Sequence, residues 1–308
     1  PKSLWKNLEP ASDLPYAKPH TATAYLEGKG YKIIAASRRG RSHAHEGTFR
    51  DDDFSITITD FGWDILIVAD GAGSANYSRE GSRIACSTAT MFLQEKIPQL
   101  LGDDFLASLD EKSNGGGAHR SEIQQALYQV LCGAAFAAYK KIEEEARSTG
   151  RNLKEYSTTF LCSIVRRMEK GIFVASFGIG DGAIAVYNGK TNEVELMNLP
   201  DGGDFSGQTR FLTMTELIGD GAEMMRRIKY RVFGNFTALF LMTDGISDPK
   251  FGTDNSLLSP QKWQALGEDL LTQVDFSAQN KQAAEQLCEW TDFWAQGEHD
   301  DRTLAIMY

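Results

Sequence analysis

The chain alternates between short apolar runs and longer amphipathic stretches. YKIIAAS (31–37), DFSITITD (53–60) and ILIVA (65–69) have the β-branched content and the two-residue period or unbroken apolar character of strands. A helix is predicted from about 78 to 100, where Ile84, Ala85, Thr88, Met91 and Phe92 recur at helical spacing. A second is predicted over about 120–148, where Ile123, Leu127, Val130, Leu131 and Ala134 share a face and Gly150 closes it. Between them, 102–118 reads as a loop, with Ser113-Asn114-Gly115-Gly116-Gly117 flexible by composition. Strands are expected at 158–167, 171–177, 183–188 and 193–198, and Asn188-Gly189 is a hairpin signal. Residues 200–236 are glycine-rich and mixed, with one short strand expected at 209–213. A strand at 238–243, helices at about 260–273 and 279–296, and a strand at 303–308 complete the pattern. Residues 1–30, broken by Pro10, Pro15, Pro19 and Gly28-Lys29-Gly30, read as an irregular N-terminal extension. Consecutive hairpin-linked strands argue for antiparallel sheets with helices outside them, not for a doubly wound parallel fold. No repeat or linker divides the chain, so one domain is expected.

Charge narrows the function. The 308 residues carry a net charge of −10 and no basic stripe, which argues against nucleic acid and against an anionic membrane surface as partners. The longest apolar runs fall short of the roughly 18 residues of a membrane span. No secretion signal is visible after Pro1. Cys86, Cys132, Cys162 and Cys288 lie among apolar neighbours without a CxxC spacing, as buried thiols would. A cytoplasmic monomer is expected.

The chemistry lies in aspartates at strand ends. Asp70-Gly71 follows ILIVA, Asp244-Gly245 follows ALFLMT, and Asp300-Asp301 precedes TLAIMY. Each Asp-Gly is also ordinary turn chemistry. Their recurrence after equally apolar strands suggests convergence, and clustered carboxylates in an acidic chain need a cation. Few histidines and no paired cysteines favour oxygen-liganded Mg²⁺ or Mn²⁺ over zinc. Asp51-Asp52-Asp53 offers more carboxylate, and Asp181 sits at a turn in Gly178-Ile179-Gly180-Asp181-Gly182. That glycine run leads into a strand, so it is no dinucleotide fingerprint. Gly189-Lys190-Thr191 lacks the first glycine of a P-loop, and His43-Ala44-His45 has no matching second half for a zinc site. No Ser or Cys triad signature is present.

Taken in order, these motifs resemble those of the metal-dependent protein serine/threonine phosphatases of the type 2C (PPM) family, over residues 40 to 308. Asp70-Gly71 resembles DGHGG, Ser157-Thr158-Thr159 a small-residue/Thr-Thr stretch, Gly180-Asp181-Gly182 the GDSR hairpin, and Thr243-Asp244-Gly245 the SDG motif. Asp300-Asp301-Arg302-Thr303 resembles the terminal DD-x-T, and Gly40-Arg41-Ser42-His43 with Gly47-Thr48 and Asp51-Asp52 a bacterial opening motif. The resemblance implies an α+β, four-layer α/β/β/α sandwich with two antiparallel sheets flanked by helix pairs. It implies a domain over 31–308 with a variable flap at about 200–236 that selects the phosphoprotein. It implies two Mn²⁺ or Mg²⁺ ions sharing Asp70, one completed by Asp244 and Asp300, the other by Asp52 and the Gly71 carbonyl, with a third ion at Asp181. Asp52, Asp70, Asp244 and Asp300 are then the catalytic set. A bridging hydroxide is expected to attack phosphorus in line, with no phosphoenzyme. His43, Arg41 and Arg50 are candidates for the phosphate clamp, together with Arg38 and Arg39. The chain departs from the family at Ala72, where the pattern has histidine, at His43, where many members carry arginine, and at Ala183-Ile184, where Ser-Arg is usual. Ala72 motivates a second reading, a non-catalytic phosphoprotein-binding module. A phosphohydrolase of small phosphate esters is a third.

Overall fold

The computed structural model describes residues 4–110, 117–201 and 209–308. Two sheets organise it, and every strand pairing in them is antiparallel. The first holds β1 (Thr21–Gly28), β2 (Tyr31–Arg38), β7 (Ala183–Asn188), β8 (Glu193–Leu196), β10 (Ala238–Met242) and β11 (Arg302–Met307), in spatial order β1-β2-β11-β10-β7-β8. The second holds β3 (Asp53–Ile58), β4 (Trp63–Ala69), β5 (Phe160–Met168), β6 (Gly171–Ile179) and β9 (Ile228–Phe233), in that order.

The central strands are apolar on both faces because both faces are covered. Ile33 and Ala35 of β2 meet Leu66 and Val68 of β4 between the sheets. The alternate residues point outward. Ile34 and Ala36 pack with Trp263 and Leu287, from α9 (Pro260–Leu271) and α10 (Ala283–Trp290). Ile65 and Ile67 pack with Leu93 of α2 (Ser78–Leu100) and Ile142 of α5 (Gly133–Ser148). The result is four layers, helix–sheet–sheet–helix. Each fully buried Leu or Ile in such a core contributes about 1.5–3 kcal/mol.

Several elements differ from expectation. Residues 21–28 form β1, an edge strand paired residue by residue with β2, rather than part of an irregular extension. The expected strand at 209–213 is a turn, and the edge of the second sheet is taken by β9 instead. The segment before β9 also carries two short helices, Thr215–Ile218 and Gly221–Arg226. Residues 103–110 are helical, whereas 111–116, most of the expected glycine loop, and 202–208 of the expected flap lie outside the described residues. The helix expected over 120–148 runs through Gly117–Leu127, a π-helical turn at Tyr128–Cys132, and α5. The last helix covers Ala283–Trp290 only. The four cysteines are buried and unpaired. No helix among the described residues is long and apolar enough to cross a membrane.

Candidate metal centre

The aspartates gather at one end of the sandwich, where strands from both sheets stop. Asp70 follows β4 directly. Its amide donates to Thr159 Oγ1 at 2.8 Å, and its carbonyl accepts from the Thr159 amide at 2.8 Å. The Ala72 amide donates to the Ser157 carbonyl at 2.9 Å, so the bonds flanking Gly71 leave the Gly71 carbonyl outside this bridge. A Cβ on Gly71 would come within 2.7 Å of the Asp51 carbonyl oxygen. Glycine is therefore what lets the Asp70 turn press against the Asp51–Asp53 segment.

Asp244 opens a helix, Asp244–Phe251, directly after β10. A Cβ on Gly245 would lie 1.8 Å from the Asp301 carbonyl oxygen, so the helix start packs backbone to backbone on the chain entering β11. Asp70, Asp181 and Asp244 each present an oxygen within a 4.8 Å span. Asp181 also accepts from Thr209 Oγ1 at 2.5 Å. Its turn is held by Asp201, whose carboxylate accepts from the Gly180 amide at 2.9 Å. Asp201 in turn receives both Nη atoms of the buried Arg227, at 2.6 and 2.7 Å.

Asp52 is almost wholly buried. Its Oδ2 accepts from Thr303 Oγ1 at 2.6 Å and Thr243 Oγ1 at 2.9 Å. The donor directions upstream are then forced, because a carboxylate accepts and a guanidinium only donates. Arg50 Nη1 donates to Ser37 Oγ at 2.5 Å, and Ser37 Oγ donates to Thr303 Oγ1 at 2.7 Å. Lys18 donates to the Asp52 carbonyl at 2.7 Å and pairs with Asp53 at 3.0 Å. Nothing in the sequence around Lys18, a lone lysine between prolines, signals this contact.

Asp300 and Asp301 have different surroundings. Asp301 is 1% exposed and accepts from the amides of Gly40 (2.5 Å), Asp51 (2.5 Å) and Asp52 (3.3 Å), and from His43 Nδ1 (2.9 Å). Its oxygens are used up as a hub that ties three segments together. Asp300 is exposed and groups with His43 and Asp301 rather than within the tightest aspartate trio. The other His43 nitrogen, Nε2, faces Asp51 at 3.4 Å. Burial opposes a charge on His43, yet Asp301 and Asp51 raise its pKa to about 10, so it is an imidazolium. Burial likewise opposes ionisation of Asp301, but the His43 charge and the amide donors hold that carboxyl below its usual range. Arg50 is buried on Ser37 and the Asp52 and Pro19 carbonyls. Arg41 holds the Asp292 carbonyl and carboxylate and stacks over Trp294. His43, Arg41 and Arg50 thus hold protein groups in this structure, as do the other two clamp candidates, Arg38 on the Cys288 carbonyl and Arg39 on the Leu8 and Thr48 carbonyls.

Electrostatics point to a cation. Burial, then neighbouring carboxylates, push Asp52 and Asp70 well above the usual carboxylate range. Burial first, and Asp181 and Asp300 among the rest, push Asp244 up to about 7. Oδ1 of Asp52 and Oδ1 of Asp244 are buried and without a hydrogen-bond partner. Unsatisfied buried carboxylate oxygens are costly unless something positive meets them. The donor set is all oxygen, which suits Mg²⁺ or Mn²⁺. The residues present therefore fit divalent ions.

Among solved structures, a bacterial serine phosphatase is 12% identical over 94% of this chain and 97% of its own, with a TM-score of 0.49. The Mycobacterium tuberculosis serine/threonine phosphatase PstP/Ppp is 18% identical over 90% of this chain and 97% of its own, with a TM-score of 0.48. The catalytic domain of PstP in complex with two manganese ions is 15% identical over 93% of this chain and 98% of its own, with a TM-score of 0.47. No curated protein sequence matches. The sequence profile of the family described as protein phosphatase 2C matches residues 39–291, well over half of the chain. The chain therefore belongs to the protein phosphatase 2C family and is by class a protein serine/threonine phosphatase.

Proposed function

We propose that this chain hydrolyses phosphoserine and phosphothreonine monoesters on proteins with two divalent ions, Mn²⁺ or Mg²⁺, and a third at Asp181. The observation that carries the reading is the trio Asp70, Asp181 and Asp244, whose oxygens lie within 4.8 Å of one another, together with buried, unpartnered oxygens on Asp244 and Asp52. Asp70, Asp244 and Asp300 would hold one ion, and Asp70, Asp52 and the Gly71 carbonyl the other. Ions held there supply Lewis acidity, charge neutralisation on the phosphoryl oxygens and a nucleophilic water near neutral pH.

The protein's own part is orientation. Thr243 and Thr303 fix one oxygen of Asp52 and leave the other without a hydrogen-bond partner. The Thr158–Thr159 pair holds the Asp70 backbone from the neighbouring strand. Asp301 and His43 lock the backbone that carries Asp52. In this reading water rather than a side chain is the nucleophile, and no phosphoenzyme forms. The segment 209–236 reaches the site through Thr209 on Asp181 and Arg227 on Asp201, and we assign it selection of the phosphoprotein.

The test is hydrolysis of a phosphothreonine peptide with Mn²⁺, with EDTA and in Asp244→Asn, beside a small aryl phosphate. Mn²⁺-dependent turnover lost in Asp244→Asn and stronger on the peptide is expected. Equal turnover in EDTA would end the proposal, and turnover confined to the small ester would replace the protein substrate.

A further inference from the structure

A cavity of about 390 Å³ opens between the N-terminal segment and the chain that follows β2. Lys6, Arg38, Arg39 and Arg41 line it against a single carboxylate, Asp292, in a chain that is otherwise strongly acidic. Arg41 is paired with that carboxylate at 2.8 Å. Among the described residues, Arg38 and Arg39 pair with no carboxylate. Arg38 donates to the Cys288 carbonyl at 2.9 and 3.1 Å and to Thr291 Oγ1 at 3.3 Å. Arg39, only 8% exposed, donates to the Leu8 and Thr48 carbonyls at 3.1 and 3.0 Å and to Asn7 Oδ1 at 2.8 Å. Neutral oxygens orient these guanidiniums; the carboxylates of Glu9 and Asp301 act on Arg39 from beyond ion-pair distance, and a buried guanidinium without a contacting carboxylate is costly.

We propose that this cavity binds a phosphomonoester dianion at a place separate from the aspartate cluster. A guanidinium fork matches phosphate oxygens, and a phosphomonoester carries about −1.5 to −2 charges at neutral pH, as an excess of cations over one carboxylate requires. The volume exceeds that of free phosphate and leaves room for the side chain bearing it. None of Asp52, Asp70, Asp181, Asp244 and Asp300 lines the cavity. The two places adjoin at Gly40, which lines the cavity and donates its amide to Asp301 at 2.5 Å. The dianion is either free phosphate or a second phosphorylated residue of a substrate protein. The inference does not depend on the hydrolytic reading, since it concerns binding without metal.

The experiment is calorimetric titration of the full chain in EDTA with inorganic phosphate, with a phosphothreonine peptide and with its unphosphorylated form. Without metal, the aspartate trio Asp70, Asp181 and Asp244 has no cation with which to hold an anion. Expected is one site with a Kd on the order of 1 mM or tighter. It should weaken with added salt, be at least about tenfold weaker in Lys6→Glu and Arg38→Gln, and be unchanged in Asp244→Asn. Lys6 is exposed, so Lys6→Glu tests charge without threatening the fold; melting curves control Arg38→Gln. Tighter binding of the phosphopeptide than of phosphate identifies a phosphoprotein as the source, and the reverse identifies free phosphate. No binding of either ligand, or binding that survives both charge variants, overturns the proposal.

Discussion

Thr303→Val removes one hydroxyl and almost no volume. That hydroxyl donates to Asp52 Oδ2 at 2.6 Å and accepts from Ser37 at 2.7 Å. The paired backbone is untouched, because Thr303 still accepts from the Thr243 amide and donates its own to Thr243 Oγ1. The cost depends on the charge of Asp52. In EDTA, burial and neighbouring carboxylates hold its pKa well above the usual range, which weakens its charge relative to the metal-bound protein. The lost bond is then close to a neutral one, about 1 kcal/mol. With divalent ions bound, Asp52 is ionised, and a hydrogen bond to a charged group is worth roughly 1.5–3 kcal/mol. The difference, about 0.5–2 kcal/mol, appears as metal affinity weakened roughly two- to thirtyfold. Urea unfolding in EDTA measures the first part and Mn²⁺ calorimetry the second. An Mn²⁺ affinity within twofold of the parent, with stability in EDTA lowered by several kcal/mol, would show that the hydroxyl is scaffolding and not a support for a ligand.

Three further outcomes follow from the same contacts. Lys18→Met leaves Asp53 and the Asp52 carbonyl without their cation, and should cost roughly 3 kcal/mol in urea unfolding, as a broken buried pair does; a loss under about 0.5 kcal/mol would show the strap to be dispensable. Gly245→Ala places a Cβ 1.8 Å from the Asp301 carbonyl and must displace Asp244, so Mn²⁺ binding should fall by at least about tenfold together with stability; parent-like binding would show that the backbone contact does not set the Asp244 position. Burial raises Asp64 from 3.8 to about 6, against the opposing Tyr31 hydrogen bond and the Arg167 charge, so its contribution to stability is full below about pH 3.8 and is lost as pH rises through 6. Asp64→Asn should reduce that slope in urea midpoints measured across this window, and an unchanged slope would exclude Asp64 as its source.

How much was legible followed the physics of each segment. β4 and β10 are covered on both faces, so their sequences are unbroken apolar runs, and the aspartates that end them stand out. The apolar runs therefore single out Asp70 and Asp244 in the sequence. β1 was missed because it is a half-exposed edge whose TATAYLEG carries little hydrophobic signal. The 209–213 stretch has strand-like residues, but the edge position belongs to β9, where Ile228, Tyr230 and Val232 alternate with Lys229 and Arg231 inside a segment of mixed composition. His43 offered itself as a ligand or a clamp, and only contacts across 258 residues reveal that Asp301 holds it. Lys18, Thr243 and Thr303 act through long-range hydrogen bonds onto Asp52, which no local pattern encodes.

The most direct test follows metal occupancy and turnover on one sample while Mn²⁺ is titrated into EDTA-stripped protein, for the parent and for Asp70→Asn. If the aspartate cluster holds the ions that drive hydrolysis, phosphothreonine peptide turnover rises in step with occupancy in the parent, and both collapse in Asp70→Asn. Full turnover in Asp70→Asn, or turnover already present before Mn²⁺ is added, would contradict it.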